Sequence, residues 1–359
     1  MTGSNEERPF LVLSSQRAFE AFTGPVPAAL RSRHVFIQPD RAAEIETLLP
    51  RARLVISKSY PRPEVNRWIF EARRNHVPTL LLVDGPLEWS NVYANPSLRQ
   101  KGAEAVCGLF QPVIHDAVAT IGPAQSHFIE SRNAGRNLET FSYANQRIRT
   151  NMNRNTHPTY DFLVTTARTA AFSERERADL SRALCACTSA LAAAGHRTLV
   201  RIFEDDLRRA VQDRAPGATF ETDGTFTQAL AQACCVIGAP SSVLLEAMHH
   251  DRPTATLVFR DSPLFYTTGW LLGGFADWNE SFASMLGRDP ERMAHQRQSL
   301  QENLSDADFF VQTEPIAHGE ALLEPRPFDA VDLDFENRVL RRMAGRRGRF
   351  FASIYRLIH

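Results

Sequence analysis

The chain has 359 residues, 43% hydrophobic and 23% charged, and its 41 basic residues balance its 41 acidic ones. That length favours two domains over one core, and the composition is that of a globular protein, not a disordered one. Zero net charge argues against a chain that holds nucleic acid through its overall field.

The first half alternates short apolar runs with helical patterns. Phe10–Ser14, His34–Ile37, Arg53–Ser57, Thr79–Val83, Ala117–Ile121 and Leu138–Phe141 read as strands, and 41–49, 63–76 and 124–133 as helices. Strands alternating with helices predict a parallel sheet covered on both faces. Segment 143–160 is polar and irregular and reads as an interdomain linker.

The alternation then restarts. Asp161–Thr165, Arg197–Phe203, Thr219–Glu221, Cys234–Ile237 and Pro253–Phe259 read as strands, with helices over 173–194, 205–212 and 225–232 and mainly helical structure from Trp278 onward. The predicted fold class is α/β, with two Rossmann-like doubly wound domains facing a cleft. The expected domains are 1–150, 151–315 and a helical tail, 316–359. The tail carries Arg338, Arg341, Arg342, Arg346, Arg347 and Arg349 before Phe350, Phe351, Ile354 and Tyr355. It suits packing back on the first domain or lying on an anionic membrane surface.

The cysteines (Cys107, Cys185, Cys187, Cys234 and Cys235) are odd in number and lack CxxC spacing. A reducing compartment and no structural metal are expected. The opening residues show neither a basic nor an apolar signal region, and no apolar run approaches the roughly 20 residues that span a bilayer. A cytoplasmic location is the expectation, with a peripheral place on the inner face of the membrane as the alternative. Lys58 and Lys101 are the only lysines, so the cations are almost all planar guanidinium forks.

The most informative segment runs from Ala233 to Met248. A buried strand ends at Gly238, a Gly-Ala-Pro-Ser-Ser turn follows, and a helix opens. Ser241 and Ser242 are good N-caps, and a helix N-terminus at a strand's carboxyl end suits a phosphate. Glu246 lies one turn on, where a carboxylate reaches ribose hydroxyls. Two neighbouring strand ends add Thr165, Thr166, Arg168 and Thr169, and Arg201. Each has a plainer role as well: Arg168 as a surface cation, Arg201 in an ion pair with Glu204 or Asp205, the serines as caps, Glu246 as a solvated charge.

In the first half, the Thr79–Val83 strand opens into Asp84-Gly85-Pro86-Leu87-Glu88-Trp89. Glu88 beside Trp89 is the first candidate general base and Asp84 the second, although Asp-Gly-Pro is also ordinary turn chemistry. His115, next to Asp116, and His127 are further candidates for a base or a phosphate contact. No GxxxxGK[ST], HExxH, GxSxG or Gly-rich dinucleotide fingerprint occurs, which disfavours P-loop, zincin, serine-hydrolase and nicotinamide chemistry.

Val236-Ile237-Gly238-Ala239-Pro240-Ser241-Ser242-Val243-Leu244-Leu245-Glu246-Ala247, followed by Asp251-Arg252-Pro253, resembles the GT-B glycosyltransferase superfamily. The nearest resemblance is to bacterial capsule and teichoic-acid type transferases, including CDP-glycerol glycerophosphotransferase-like enzymes, over residues 8–310. It implies that Ser241 and Ser242 hold donor phosphate, that Glu246 binds ribose, and that Arg201 matches a basic residue on the second strand. The chain departs from the pattern in two places: Phe203-Glu204 replaces the usual His-Pro, and the Trp-His-Gly acceptor motif is absent, with Asp84–Asn91 near its place. The resemblance therefore implies a glycosyltransferase of polysaccharide biosynthesis that needs neither metal nor cofactor. Its partners would be a nucleotide-sugar donor and a glycan or lipid-linked acceptor, not nucleic acid. An epimerase or hydrolase of the same fold, or a non-catalytic scaffold, are the alternatives.

Overall fold

The computed structural model describes residues 8–58, 62–88, 110–152, 157–260, 266–274, 278–318 and 323–344. The described residues form two compact units. One comprises the chain through Gly85, residues 110–146 and the segment from Ser305 onward; the other comprises Pro86–Glu88 and Arg147–Leu304.

The first unit is built on six parallel strands: β1 (Phe10–Val12), β2 (His34–Phe36), β3 (Leu54–Ser57), β4 (Thr79–Leu82), β5 (Ala117–Thr120) and β6 (Glu139–Ser142). Their spatial order is β2-β1-β3-β4-β5-β6. Helices α1 (Gln16–Thr23), α2 (Ala42–Leu48), α3 (Pro63–Arg74) and α4 (Pro123–Arg132) connect them. Strands β3, β4 and β5 are buried at every residue, as expected of a sheet covered on both faces.

The second unit repeats the plan. Strands β7 (Tyr160–Thr165), β8 (Thr198–Arg201), β9 (Thr219–Phe220), β10 (Ala233–Gly238), β11 (Thr254–Leu257) and β12 (Trp270–Leu272) lie in the order β12-β11-β10-β7-β8-β9, all parallel. Helix α5 (Glu174–Ala193) shows how the sequence dictates the packing. Ser173 caps it by accepting from the Glu176 amide, Glu174 and Glu176 favour its positive end, and Leu180, Leu184, Cys187 and Leu191 recur at helical spacing on its buried stripe. The remaining helices are α6 (Asp205–Arg214), α7 (Phe226–Ala231), α8 (Ser242–His249), α9 (Asn279–Leu286) and α10 (Pro290–Asn303). Burial pushes the Cys187 and Cys235 thiols up to about 12, so both are inert packing residues.

Helices α11 (Phe309–His318) and α12 (Ala330–Ala344) return to the first unit. The second unit thus ends at Leu304, eleven residues short of the expected boundary at 315. Helix α12 packs on α3, with Phe70 against Phe328 and Phe335. Beneath them, Arg73 bonds Asp332 at 3.0 Å and lies 3.6 Å from Asp116, and Arg136 bonds the other Asp332 oxygen at 2.6 Å. The described part of the tail is therefore a packing element; Arg346, Arg347, Arg349 and the aromatic residues after them lie outside the described residues. Among the described residues no helix is long and apolar enough to cross a membrane.

Candidate functional site

Each sheet has one topological switch point, where successive connections leave in opposite directions. In the second unit the chain runs β7 to β8 to β9 and then returns to place β10 on the other side of β7. Ligands of such sheets bind outside the carboxyl ends of the strands at this position. The two loops that open there are Thr165–Thr169 after β7 and Gly238–Ser242 after β10, two of the three strand ends singled out from the sequence.

Their geometry is closely specified. A Cβ on Gly238 would lie 2.8 Å from Leu244 Cδ2 and 3.2 Å from both Thr165 Cγ2 and the Thr165 carbonyl oxygen, so glycine is required by close approach. The Ala239 amide donates to that carbonyl at 3.1 Å. Ser241 caps α8, its hydroxyl accepting from the Val243 amide at 3.2 Å. Its carbonyl accepts from the Leu244 amide and from the buried Tyr266 hydroxyl, whose pKa burial raises. Ser242 opens the helix and stays half-buried. Thr166 is 2% exposed, and its hydroxyl is buried with no partner among the described residues. An orphaned hydroxyl costs about 1–3 kcal/mol unless a ligand or water satisfies it.

Glu246 is buried, not a solvated helix charge. Its Oε1 accepts from Thr150 and from Thr227, each at 2.7 Å, and Thr150 also meets His250 Nε2 at 3.1 Å. Burial raises the carboxyl pKa, against the two hydroxyl bonds and the Arg147 charge. Thr150, Thr227 and Tyr266 thus pack into the candidate site, and none of them was singled out from the sequence. A hydroxyl donor leaves no periodic signal.

The two arginines part company. Arg201 is buried at the end of β8, and its guanidinium donates to the carbonyls of Asp223 at 2.7 Å and Gly224 at 2.8 Å. These backbone bonds hold its guanidinium, and it is not the partner of Glu204 or Asp205, which pair with Arg177 and Arg208. Burial lowers its pKa. Arg168 is exposed, 5.3 Å from the Phe203 ring centroid, and is the cation left at this edge; Thr169 is exposed beside it.

The candidate bases also separate. Pro86–Glu88 belong with the second unit, where Glu88 ion-pairs with Arg260, a buried guanidinium 5.0 Å from the Phe172 ring and 5.1 Å from Phe259. The Glu88 carboxylate faces a cation instead of the apolar wall expected from Trp89, which lies outside the described residues. Arg260 also faces Glu176 at 3.5 Å, and burial lowers its pKa to about 10. His115 is fully buried at the amino end of β5, its Nε2 2.8 Å from Ser57 Oγ. Burial, reinforced by Arg73 and Arg326, pulls it down to about 3, so it stays neutral and out of reach of any substrate. His127 is exposed on α4. Asp84 is exposed at the carboxyl end of β4. The Asn145 amide fixes its backbone carbonyl at 3.2 Å, and its charge raises the pKa of Tyr143, second to burial.

The first unit has a switch point of its own, between β1 and β3. There Ser14 and Ser15 follow β1, and Ser15 caps α1 by accepting from the Ala18 amide at 3.3 Å. A cleft of about 440 Å³ opens near the carboxyl ends of β2 and β3, lined by Gln38, Asp40, Arg62 and Glu64 among others. Neither feature was anticipated, although Leu13-Ser14-Ser15 repeats the apolar-to-serine step of Gly238–Ser242.

No protein-family model matches the chain, and no curated protein matches it. Among solved structures, a Listeria monocytogenes protein assigned as a UDP-N-acetylglucosamine 2-epimerase is similar over 90% of this chain and 100% of its own, at 12% identity and a TM-score of 0.56. Pneumococcal O-GlcNAc transferase GtfA, solved with UDP and GlcNAc, is similar over 77% of this chain and 57% of its own, at 13% identity and a TM-score of 0.48. S. aureus MnaA, solved with UDP, is similar over 82% and 84%, at 14% identity and a TM-score of 0.49. At such identities the likeness concerns the fold. With its two six-stranded parallel sheets, each doubly wound, the chain has a GT-B-like fold of two Rossmann-like units.

Proposed function

We propose that the chain is a glycosyltransferase that takes a sugar from a nucleotide-sugar donor and passes it to a glycan or lipid-linked acceptor of a surface polysaccharide. The observation that carries the reading is the second unit's switch point. There the glycine-packed turn, the N-terminus of α8 and the orphaned Thr166 hydroxyl share one sheet edge. A helix N-terminus favours the charge that develops on a departing diphosphate, and the exposed Arg168 supplies a cation. Glu246 accepts from the ribose hydroxyls in addition to its threonine partners. The acceptor belongs with the first unit, where Asp84, exposed at a strand end, would take the acceptor proton.

The same donor site would serve an epimerase, the activity assigned to the Listeria monocytogenes protein of similar fold. Transfer is favoured because Glu246 is bonded to two threonine hydroxyls and His249 and His250 lie at the far end of α8, which leaves no free acid–base pair at the α8 N-terminus among the described residues. The test is a melting and calorimetric screen against UDP-, GDP- and CMP-sugars, followed by product analysis. A bound donor should raise the melting temperature by mass action, and Asp84→Asn should retain that shift and lose turnover. Binding of no nucleotide would leave a scaffold role. Conversion of the donor sugar without acceptor would establish epimerisation.

A further inference from the structure

The Asp251-Arg252-Pro253 turn has no part in the donor site. It lies at the other edge of the second sheet, just before β11. His157, before β7, and His250, at the end of α8, join Asp251, Arg252 and Arg288 around a cleft of about 420 Å³. The Arg252 side chain is half-buried there, and its Nε is buried with no partner among the described residues. The adjacent Asp251 carboxylate is already engaged by Arg288 at 2.5 Å and Arg297 at 3.1 Å. Desolvation lowers the Arg252 pKa, and the Arg288 charge pulls the same way. A guanidinium is costly to bury without a counter-charge.

Two backbone observations point to the same cleft. Asp251 and Arg288 each hold the left-handed conformation, with φ of 55° and 53°, just past the ends of α8 and α9. Glycine is the usual residue there because a side chain is strained in that region. Both positions instead carry charged side chains that line the cleft. The α8 C-terminus does not oppose an anion with bare carbonyls, because those of Glu246, Ala247 and Met248 accept from the amides of His250, Arg252 and Asp251.

We infer that this cleft is a binding site for a phosphate-type oxyanion, free or at the end of a phosphomonoester, with Arg252 as its principal cation and Arg288 and the imidazoles of His157 and His250 as further donors. The planar fork of Arg252 matches two phosphate oxygens, as a point charge would not. The cleft lies toward the opposite ends of the same strands from the donor site, and His250 links the two through Thr150, a partner of Glu246.

The test is thermal melting of the full chain titrated with inorganic phosphate, and separately with glycerol 3-phosphate, against chloride at matched ionic strength. The wild type should show a saturable rise. Arg252→Gln should weaken the apparent affinity by at least about tenfold, equivalent to about 1.4 kcal/mol, and Arg252→Lys should weaken it less. Arg168→Gln, at the donor edge, should keep the response. Without phosphate, Arg252→Gln should melt close to the wild type, because desolvation and the Arg288 charge oppose the half-buried guanidinium while Asp251 favours it. Response to both ligands identifies a free-phosphate site, and response to the ester alone a phosphomonoester site. Absence of a saturable rise with either ligand, or a rise that Arg252→Gln retains and Arg168→Gln loses, overturns the inference.

Discussion

Glu246→Gln separates stability from binding, because the buried carboxylate serves one at the expense of the other. The Gln carbonyl has two lone pairs and can accept both threonine hydroxyls that now meet Oε1 at 2.7 Å. Each bond changes from charged to neutral, a loss of about 1 kcal/mol apiece. Set against this is relief from burying a charge at a site that is 5% exposed. The raised carboxyl pKa says that desolvation outweighs the hydroxyl bonds and Arg147 together. A folded-state pKa above the unfolded value means that the native state binds the proton more tightly. Its stabilising share is complete below the unfolded pKa and is lost as pH rises through the folded one. Glu246→Gln should therefore melt higher than the wild type at pH 7, with the gap closing as pH falls toward 4.5, the ordinary value of a glutamate carboxyl. Donor nucleotide affinity should fall by about 1–3 kcal/mol, as charge-assisted bonds to ribose are lost. Paired melting curves at the two pH values and calorimetric titration read both effects. A variant that binds nucleotide as tightly as the wild type would refute the ribose assignment, and one that melts lower at pH 7 would refute the burial argument.

Gly238→Ala should cost about 1–3 kcal/mol, the usual range for overpacking, because the new methyl meets both Leu244 and the Thr165 backbone; an unchanged urea midpoint would show that the turn relaxes freely. Asp332→Ala should destabilise the first unit by about 3 kcal/mol, the low end for a broken buried pair. Arg73 would keep Asp116 and the carbonyls of Ile114, Arg326 and Pro327, so its charge is only partly stranded. Val331→Ala, at a side chain 48% exposed, is the control and should leave the unfolding transition in place. His115 is held neutral with a pKa of about 3, so below pH 6.5 the unfolded chain takes up a proton that the folded one refuses. Stability should fall with pH across that window, and His115→Gln should flatten the acid limb by up to about 1.4 kcal/mol per pH unit. An acid limb of unchanged slope would mean that other groups govern it.

The strands of both sheets were legible because a parallel sheet covered on both faces turns each strand into a short continuous apolar run. Helix α1 and β12 were not anticipated, and length does not explain it, since α2 and β2 are no longer and were anticipated. The return of the chain to the first unit was illegible for a reason of sequence distance. Arg73 and Asp332 are 259 positions apart, and nothing local marks either as half of a pair. The acceptors of Arg201 were illegible because they are the backbone carbonyls of Asp223 and Gly224, which any residue type supplies. The partner of Glu88 was illegible because Arg260 is brought in by a loop more than a hundred residues on. What the sequence marked well was the switch-point loop itself, since a turn of small residues and an N-cap must be written locally.

That local grammar is nevertheless insufficient to identify a donor site, because the chain writes it twice. Ser15 caps α1 and Glu20 follows five residues later; Ser241 caps α8 and Glu246 follows five residues later. Both elements leave a switch point of a parallel sheet. Their carboxylates meet opposite surroundings. Glu20 lies near the surface, where a bond from the Gln16 side chain, then one from the Val26 amide, lowers its pKa, and it anchors its own loop. Glu246 is buried beside two threonine hydroxyls, and burial raises its pKa. A carboxylate satisfied by its own loop has little to offer a ligand. One that bears a desolvation penalty gains from each further donor, and ribose hydroxyls are such donors. The environment of the glutamate, not its spacing from the serine, is what favours the second unit for the donor in the proposed reading. Exchanging the two should be unequal: Glu20→Gln should leave nucleotide affinity unchanged where Glu246→Gln weakens it, and equal losses in both would return the donor assignment to either unit.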